Sequence, residues 1–158
     1  MAPSVNILTH LIIAFACLIS MAVTQDSSSG TDSCAEGHFV SSCAYPGLKF
    51  VDHALGMYCL NDNTEIFGYN WTWIDLNKCL TNQDGQLVSS ATGSYSSSCF
   101  NCEVSNSTAR LTCDCWNMAA TNRSQTSIDL NTILYNVDGA MGCCDQMGNK
   151  TWKGPQVG

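Results

Sequence analysis

Two stretches of the chain place an apolar residue or a cysteine at every second position: Leu55-Gly56-Met57-Tyr58-Cys59 and Leu111-Thr112-Cys113-Asp114-Cys115. A period of two belongs to strands, whose successive side chains point to opposite faces, so each stretch predicts a strand with one apolar face. Phe67, Tyr69, Trp71 and Trp73 alternate in the same way ahead of Ile74 and predict another strand, with its aromatics on one side. Next comes Ile-Asp-Leu-Asn, at residues 74–77 and again at 128–131. Short polar side chains bond readily to nearby backbone N–H groups, so this segment reads as a helical turn capped by Asp75 or Asp129, with Asn77 bracing it. Asp84-Gly85 and Asp138-Gly139 then supply the positive-φ pair of a type I′ hairpin turn. The pattern is that of an all-β protein.

It is also a pattern given twice. Residues 74–85 return at 128–139 with eight identities in twelve positions at a constant offset of 54. Upstream, Phe39-Val40-Ser41-Ser42-Cys43 matches Tyr95-Ser96-Ser97-Ser98-Cys99, and Leu55 and Cys59 match Leu111 and Cys115, all at an offset of 56. The chain is therefore read as two copies of one unit of roughly 55 residues, at about 37–90 and 93–144, related by a pseudo-twofold.

Residues 7–23 are apolar apart from Thr9, His10 and Ser20, and end in small residues before a polar stretch. This predicts a secretory signal peptide over residues 1–24, though without the usual basic start. A flexible Ser- and Gly-rich linker is expected at 25–36, a domain at 37–145 and a loose tail at 146–158. Loss of the signal removes Cys17 of the eleven cysteines and leaves Cys34, Cys43, Cys59, Cys79, Cys99, Cys102, Cys113, Cys115, Cys143 and Cys144. An even number in a short exported chain reads as a disulfide framework, and the protein is expected to be extracellular.

The repeat limits the pairings. Cys43–Cys59 and Cys99–Cys115 occupy equivalent places, and Cys102–Cys113 nests inside the second of these. The nested bridge requires a bulge after Cys99, and Pro46, at the place of Cys102 in the first copy, points to a broken ladder there as well. A bridge between the neighbours Cys143 and Cys144 is strained, so Cys34 and Cys79 each take one of them, in an order the sequence leaves open. Sequons at Asn70, Asn106, Asn122 and Asn149 fit a secretory route, and a glycan on Asn70 is expected to keep the face between the aromatics in water.

The net charge of −7 opposes binding to phosphate backbones or anionic lipid, so neither nucleic acid nor membrane insertion is expected. Cys99-x-x-Cys102 and Cys113-x-Cys115 have the look of a metal site, but no histidine falls at ligand spacing, and neither metal nor cofactor is expected. His38 and His53, with Asp52 or Glu65 near them in sequence, contain the groups of an acid–base pair. Their spacing demands none and the second copy lacks them, so no enzyme is expected.

The order Ser-Cys, Leu-x-x-x-Cys, Ile-Asp-Leu-Asn, Asn-x-Asp-Gly, given twice between Gly37 and Cys144, resembles the cyanovirin-N homology domain, a family of small mannose-binding lectins. The resemblance implies one elongated body of two pseudo-symmetric halves, each a three-stranded sheet plus a β-hairpin contributed by the other repeat. It also implies two shallow metal-free clefts, at opposite ends, for high-mannose glycans with terminal α1,2-linked mannose. Carried over by position, the first cleft is expected at His38, Ser41, Ser42, Asn61, Asp62, Asn136, Asp138 and Gly139. The second is expected at Ser94, Ser97, Ser98, Trp116, Asn117, Asn82, Asp84 and Gly85. Asn, Asp, Ser and turn amides suit vicinal hydroxyls, and an indole suits the apolar face of a pyranose. The aromatics ahead of Ile74 either cover a seam or offer a second stacking platform. Members of the family often carry Lys, Gln, Glu or Arg where this chain has short Ser and bulky Leu60, Trp116 and Met118, so weaker or altered clefts are expected. The implied partners are mannose-rich oligosaccharides or glycoproteins, bound by a monomer or, through the hinge at 89–93, a domain-swapped dimer. The alternative is a secreted, disulfide-rich protein-interaction or cell-wall module with degenerate sugar sites.

Overall fold

The computed structural model describes Cys34 and residues 37–44, 47–62 and 68–151. The expected signal segment, most of the linker, Pro46, Glu65, Phe67 and residues 152–158 lie outside them. The first repeat forms β1 (Lys49–Val51), β2 (Ala54–Leu60), β3 (Tyr69–Asp75) and a hairpin, β4 (Leu80–Gln83) and β5 (Gln86–Ser89). The second forms β6 (Cys99–Val104), β7 (Arg110–Trp116), β8 (Arg123–Asp129), then β9 (Tyr135–Val137) and β10 (Ala140–Cys143). Two short strands follow, β11 (Gln146–Met147) and β12 (Asn149–Thr151).

The duplication in sequence is a duplication in register. In one sheet β2 pairs with β3 so that Leu55 faces Ile74; in the other β7 pairs with β8 so that Leu111 faces Ile128. Each sheet ends in a 3₁₀ turn, Leu76–Lys78 or Leu130–Thr132, at which Asp75 or Asp129 accepts the N–H of Asn77 (3.0 Å) or Asn131 (2.9 Å). These are the caps expected of Ile-Asp-Leu-Asn, and they turn the chain into a hairpin. Both hairpins close on two residues of positive φ, Asp84 (51°) with Gly85 (86°) and Asp138 (48°) with Gly139 (80°), as a type I′ turn requires.

Each hairpin leaves its own repeat and packs on the other's sheet. Met141 N–H on β10 donates to Thr72 Oγ1 on β3 (3.0 Å), and Leu87 N–H on β5 donates to Thr126 Oγ1 on β8 (3.2 Å). Asn77 and Asn131 complete the exchange: their Oδ1 atoms accept Ser96 N–H and Val40 N–H (both 3.1 Å), which tie each turn to the start of the opposite repeat. This contact leaves no room for a side chain at Gly37 or Gly93, where an added Cβ lies 2.0 Å from Asn131 O or 1.9 Å from Leu80 O. Between the layers Phe39, Leu55, Met57, Leu76, Leu80, Tyr95, Leu111, Leu130, Leu134 and Met141 are fully buried. Each such aliphatic or aromatic side chain contributes about 1.5–3 kcal/mol relative to exposure.

Five disulfides brace this core: Cys43–Cys59, Cys99–Cys115, Cys102–Cys113, Cys79–Cys143 and Cys34–Cys144. The nested pair is possible because β6 shifts register against β7 between Phe100 and Glu103, with Asn101 at φ 51°.

Two expectations are corrected. Residues 146–151 are no loose tail: β11 pairs with β10, and β12 adds a fourth strand to the first sheet by pairing with β3. The face between the β3 aromatics is not in water either. Asn70, Thr72 and Ile74 are buried, because the hairpin of the second repeat covers them. Asn70 is also hydrogen-bonded to Asn61 and lies against Gly139, so the folded domain has no space for a glycan at that sequon. Trp71 is buried edge-on to Tyr58 and Trp73, while Trp73 is half-buried and Tyr69 exposed, so the row is internal packing at Trp71. Asn106, Asn122 and Asn149 are exposed.

Candidate functional site

The hairpin turns set the two ends of the body, and a bracket of hydrogen bonds holds each turn to the opposite half. At the second end Asn82 Nδ2 donates to Ser98 Oγ and to Trp116 O (both 2.8 Å), while its Oδ1 accepts Gly85 N–H (2.8 Å). Asp84 Oδ1 accepts Met118 N–H (2.8 Å). At the first end the same bonds recur: Asn136 Nδ2 to Ser42 Oγ (3.1 Å) and Leu60 O (2.9 Å), Gly139 N–H to Asn136 Oδ1 (3.0 Å), and Asp62 N–H to Asp138 Oδ1 (2.9 Å). Asn at these positions is therefore a clamp, with donor and acceptor both engaged inside the protein.

Between clamp and sheet end lies a cleft of ≈ 350 Å³, lined by Asn82, Asp84, Ser97, Ser98, Trp116, Asn117, Met118 and Ala120. Its floor is rigid. Asn117 Oδ1 accepts Thr121 N–H (2.9 Å) and Asn122 N–H (3.2 Å), its Nδ2 donates to Thr121 Oγ1 (3.0 Å), and the loop is thereby closed on itself. Ser97 Oγ donates to Ser94 O (2.8 Å), so Ser94 supports the turn from behind. Arg123 sits over the Trp116 ring at 4.8 Å, which occupies one indole face and leaves the rest at the cleft wall. Asp84 Oδ2 accepts no hydrogen bond among the described residues, and a carboxylate oxygen at the rim of a polar cleft is a strong acceptor for a hydroxyl.

The first end carries the same groups with different surroundings. Ser41 Oγ donates to His38 O (2.7 Å), and His38, at φ 81°, caps the turn with its backbone. Asn61 is buried against Asn70 rather than displayed. Asp138 meets Lys150, whose Nζ reaches Oδ2 and the Asp138 carbonyl, each at 2.7 Å. That hydrogen bond, with the Asp62 N–H, holds the Asp138 carboxyl below the usual carboxylate range. Lys150, Arg123 and Ala120 are missed by sequence reasoning. Lys150 stood in the stretch read as a tail, and no periodicity marks a three-residue strand. His53, the other half of the imagined acid–base pair, rests edge-on to Tyr95 at 5.9 Å.

The structure is similar to that of a MoCVNH3 variant in complex with (N-GlcNAc)4, at a TM-score of 0.58 and 14% identity over 70% of this chain and 99% of that one. It is similar to the CVNH of Gibberella zeae, at 0.57 and 20% identity over 69% and 99%. It is also similar to microvirin, in a complex with mannobiose, at 0.55 and 19% identity over 68% and 99%. At such identities the likeness is one of fold. No curated protein sequence matches the chain. The model of the CVNH domain matches residues 39–142, from the 3₁₀ turn Phe39–Ser41 through both repeats to the last hairpin, and the chain belongs to the CVNH domain family.

Proposed function

We propose that the protein is a secreted lectin that binds high-mannose or related glycans through its two end clefts, as a binding protein and not an enzyme. One observation carries the reading: a preformed polar cleft lined by Asp84 and Ser98, in which Asn82 fixes the hairpin, Asp84 Oδ2 has no partner among the described residues, and Trp116 forms a wall. Rigid acceptors beside an aromatic surface suit vicinal hydroxyls on an apolar ring, and a preformed cleft lowers the cost of ordering on binding. Relatives of this fold in complexes with mannobiose and (N-GlcNAc)4 support the ligand class. Bridging of all ten cysteines beyond residue 24 supports an oxidising destination.

The test is a mannose-terminated glycan array with competition by free α1,2-linked dimannose. Saturable, competed signal is expected. Correctly folded protein that gives no signal on any mannose or GlcNAc oligomer would leave the second reading, a protein-interaction or cell-wall module. That reading draws on the clefts' Asn side chains, which are engaged internally instead of presented.

A further inference from the structure

The two turns are held by the same bracket of bonds; the ends differ where Asn61 and Leu60 stand in place of Asn117 and Trp116, and at the turn carboxylate. Asp138 Oδ1 and Asp84 Oδ1 do the same work, each accepting one N–H from the facing loop. Their Oδ2 atoms do not. Asp138 Oδ2 accepts from Lys150 Nζ, whereas Asp84 Oδ2 has no partner among the described residues.

Lys150 is delivered by an element that, among the described residues, only one end possesses. β12 pairs with β3 so that Lys150 lies opposite Thr72, the residue on which the hairpin of β9 and β10 is seated. Its neighbours hold it there: Asn149 Oδ1 accepts Trp73 N–H (3.2 Å), and Gly148 N–H donates to Met141 O (2.7 Å). Gly148 approaches so closely that an added Cβ lies 2.3 Å from Trp73 O. From this anchored strand the ammonium reaches over the hairpin tip and spends two of its three donors on Asp138.

We propose that Lys150 makes the two clefts unequal, so that the second cleft takes a glycan first and the first cleft takes one only when Lys150 leaves the Asp138 carboxylate. A sugar hydroxyl arriving at Asp84 finds an open, charged acceptor. At Asp138 it must displace a charge-assisted hydrogen bond already made. Lys150 is thus a specificity-determining residue of the first cleft, acting through Asp138. The inference rests on the carbohydrate reading above.

The experiment is a titration of ¹⁵N-labelled protein with α1,2-linked dimannose, which reads each cleft separately. The amides of Gly85 and Met118 report the second cleft, those of Gly139 and Asp62 the first. In the unmodified protein the second cleft is expected to saturate at severalfold lower dimannose than the first. Lys150→Ala tightens the first cleft by about three- to fivefold, the scale of an exposed ion pair, and leaves the second unchanged. Lys150→Arg, which keeps the cation, retains the inequality. Higher ionic strength narrows the gap in the unmodified protein but not in Lys150→Ala. Equal saturation of both clefts in the unmodified protein, or an unchanged ratio in Lys150→Ala, overturns the inference while leaving the lectin reading intact. Silence at all four amides in both proteins overturns the lectin reading and this inference with it.

Discussion

Phe39 and Tyr95 hold the same place in the two repeats, each fully buried at the start of a 3₁₀ turn. The second copy carries one extra atom, and the Tyr95 hydroxyl is buried with no hydrogen-bond partner among the described residues. The first copy shows that the site accepts phenylalanine, so Tyr95→Phe removes an unsatisfied polar group without disturbing the ring. A buried group left unpaired costs about 1–3 kcal/mol, and the low end applies where the neighbours relax, so Tyr95→Phe is expected to stabilise by about 1 kcal/mol at neutral pH. For a domain of this size that corresponds to about 3–5 °C in Tm. The alkaline response is a second signature. Burial, reinforced by the Asp75 carboxylate, pushes the Tyr95 phenol well above its ordinary range. The unfolded phenol ionises near ~10 while the folded one keeps its proton, so the folded state is undisturbed below that value and loses stability above it. The slope approaches about 1.4 kcal/mol per pH unit, and Tyr95→Phe lacks this component. Equilibrium urea unfolding with disulfides intact, at neutral pH and at roughly half a unit above the phenol's ordinary value, checks both. A variant less stable by 1 kcal/mol or more at neutral pH would show that the hydroxyl has a partner, and an identical alkaline loss in both proteins would refute the burial argument.

Three further outcomes follow from the same structure. Asn82→Ala is expected to cost about 1–2 kcal/mol, measured by urea unfolding, because it leaves Trp116 O, Ser98 Oγ and Gly85 N–H without their shared partner. Dimannose binding at the second cleft should fall with it, and Asn136→Ala should do the same at the first. Removing Cys79–Cys143, which spans 64 residues, should destabilise more than removing Cys102–Cys113, which spans 11. Loop-closure entropy puts the difference at about 1.6 kcal/mol, read as the gap between the double-alanine variants in unfolding midpoint. On acidification the Asp138–Lys150 pair contributes fully above the carboxyl's unfolded value of about 3.9 and is lost only as pH falls through the depressed folded value. A ¹³C carboxyl titration should place Asp138 below that value, and Lys150→Ala should return it upward.

Features that arise from neighbours along the chain were legible in the sequence: the strands around Cys59 and Cys115, the Asp-capped turns, the type I′ hairpins and the bulge demanded by Cys102 beside Cys99. Periodicity also sorted β3 into two faces, but it does not say which distant element covers a face. The sequence leaves the aromatics of β3 as a seam cover or a stacking platform and puts the face between them in water, yet Asn70 and Thr72 on that face are the residues on which the exchanged hairpin sits. The clefts show the same limit. Position identified Asn82 and Asn136, and only the three-dimensional arrangement shows that their amides hold the turn in place. Lys150 was beyond reach because it acts across twelve residues from a strand too short to leave a pattern.

The exchange of hairpins has a consequence for the history of the molecule. Ser42 and Asp62 belong to one copy of the ancestral unit, and the Asn136 and Asp138 that meet them belong to the other. A solitary copy therefore carries two unmatched half-sites and no whole one. A change in either copy therefore alters both ends, and the two ends differ, as the residues around Asp84 and Asp138 do, although each draws on both copies.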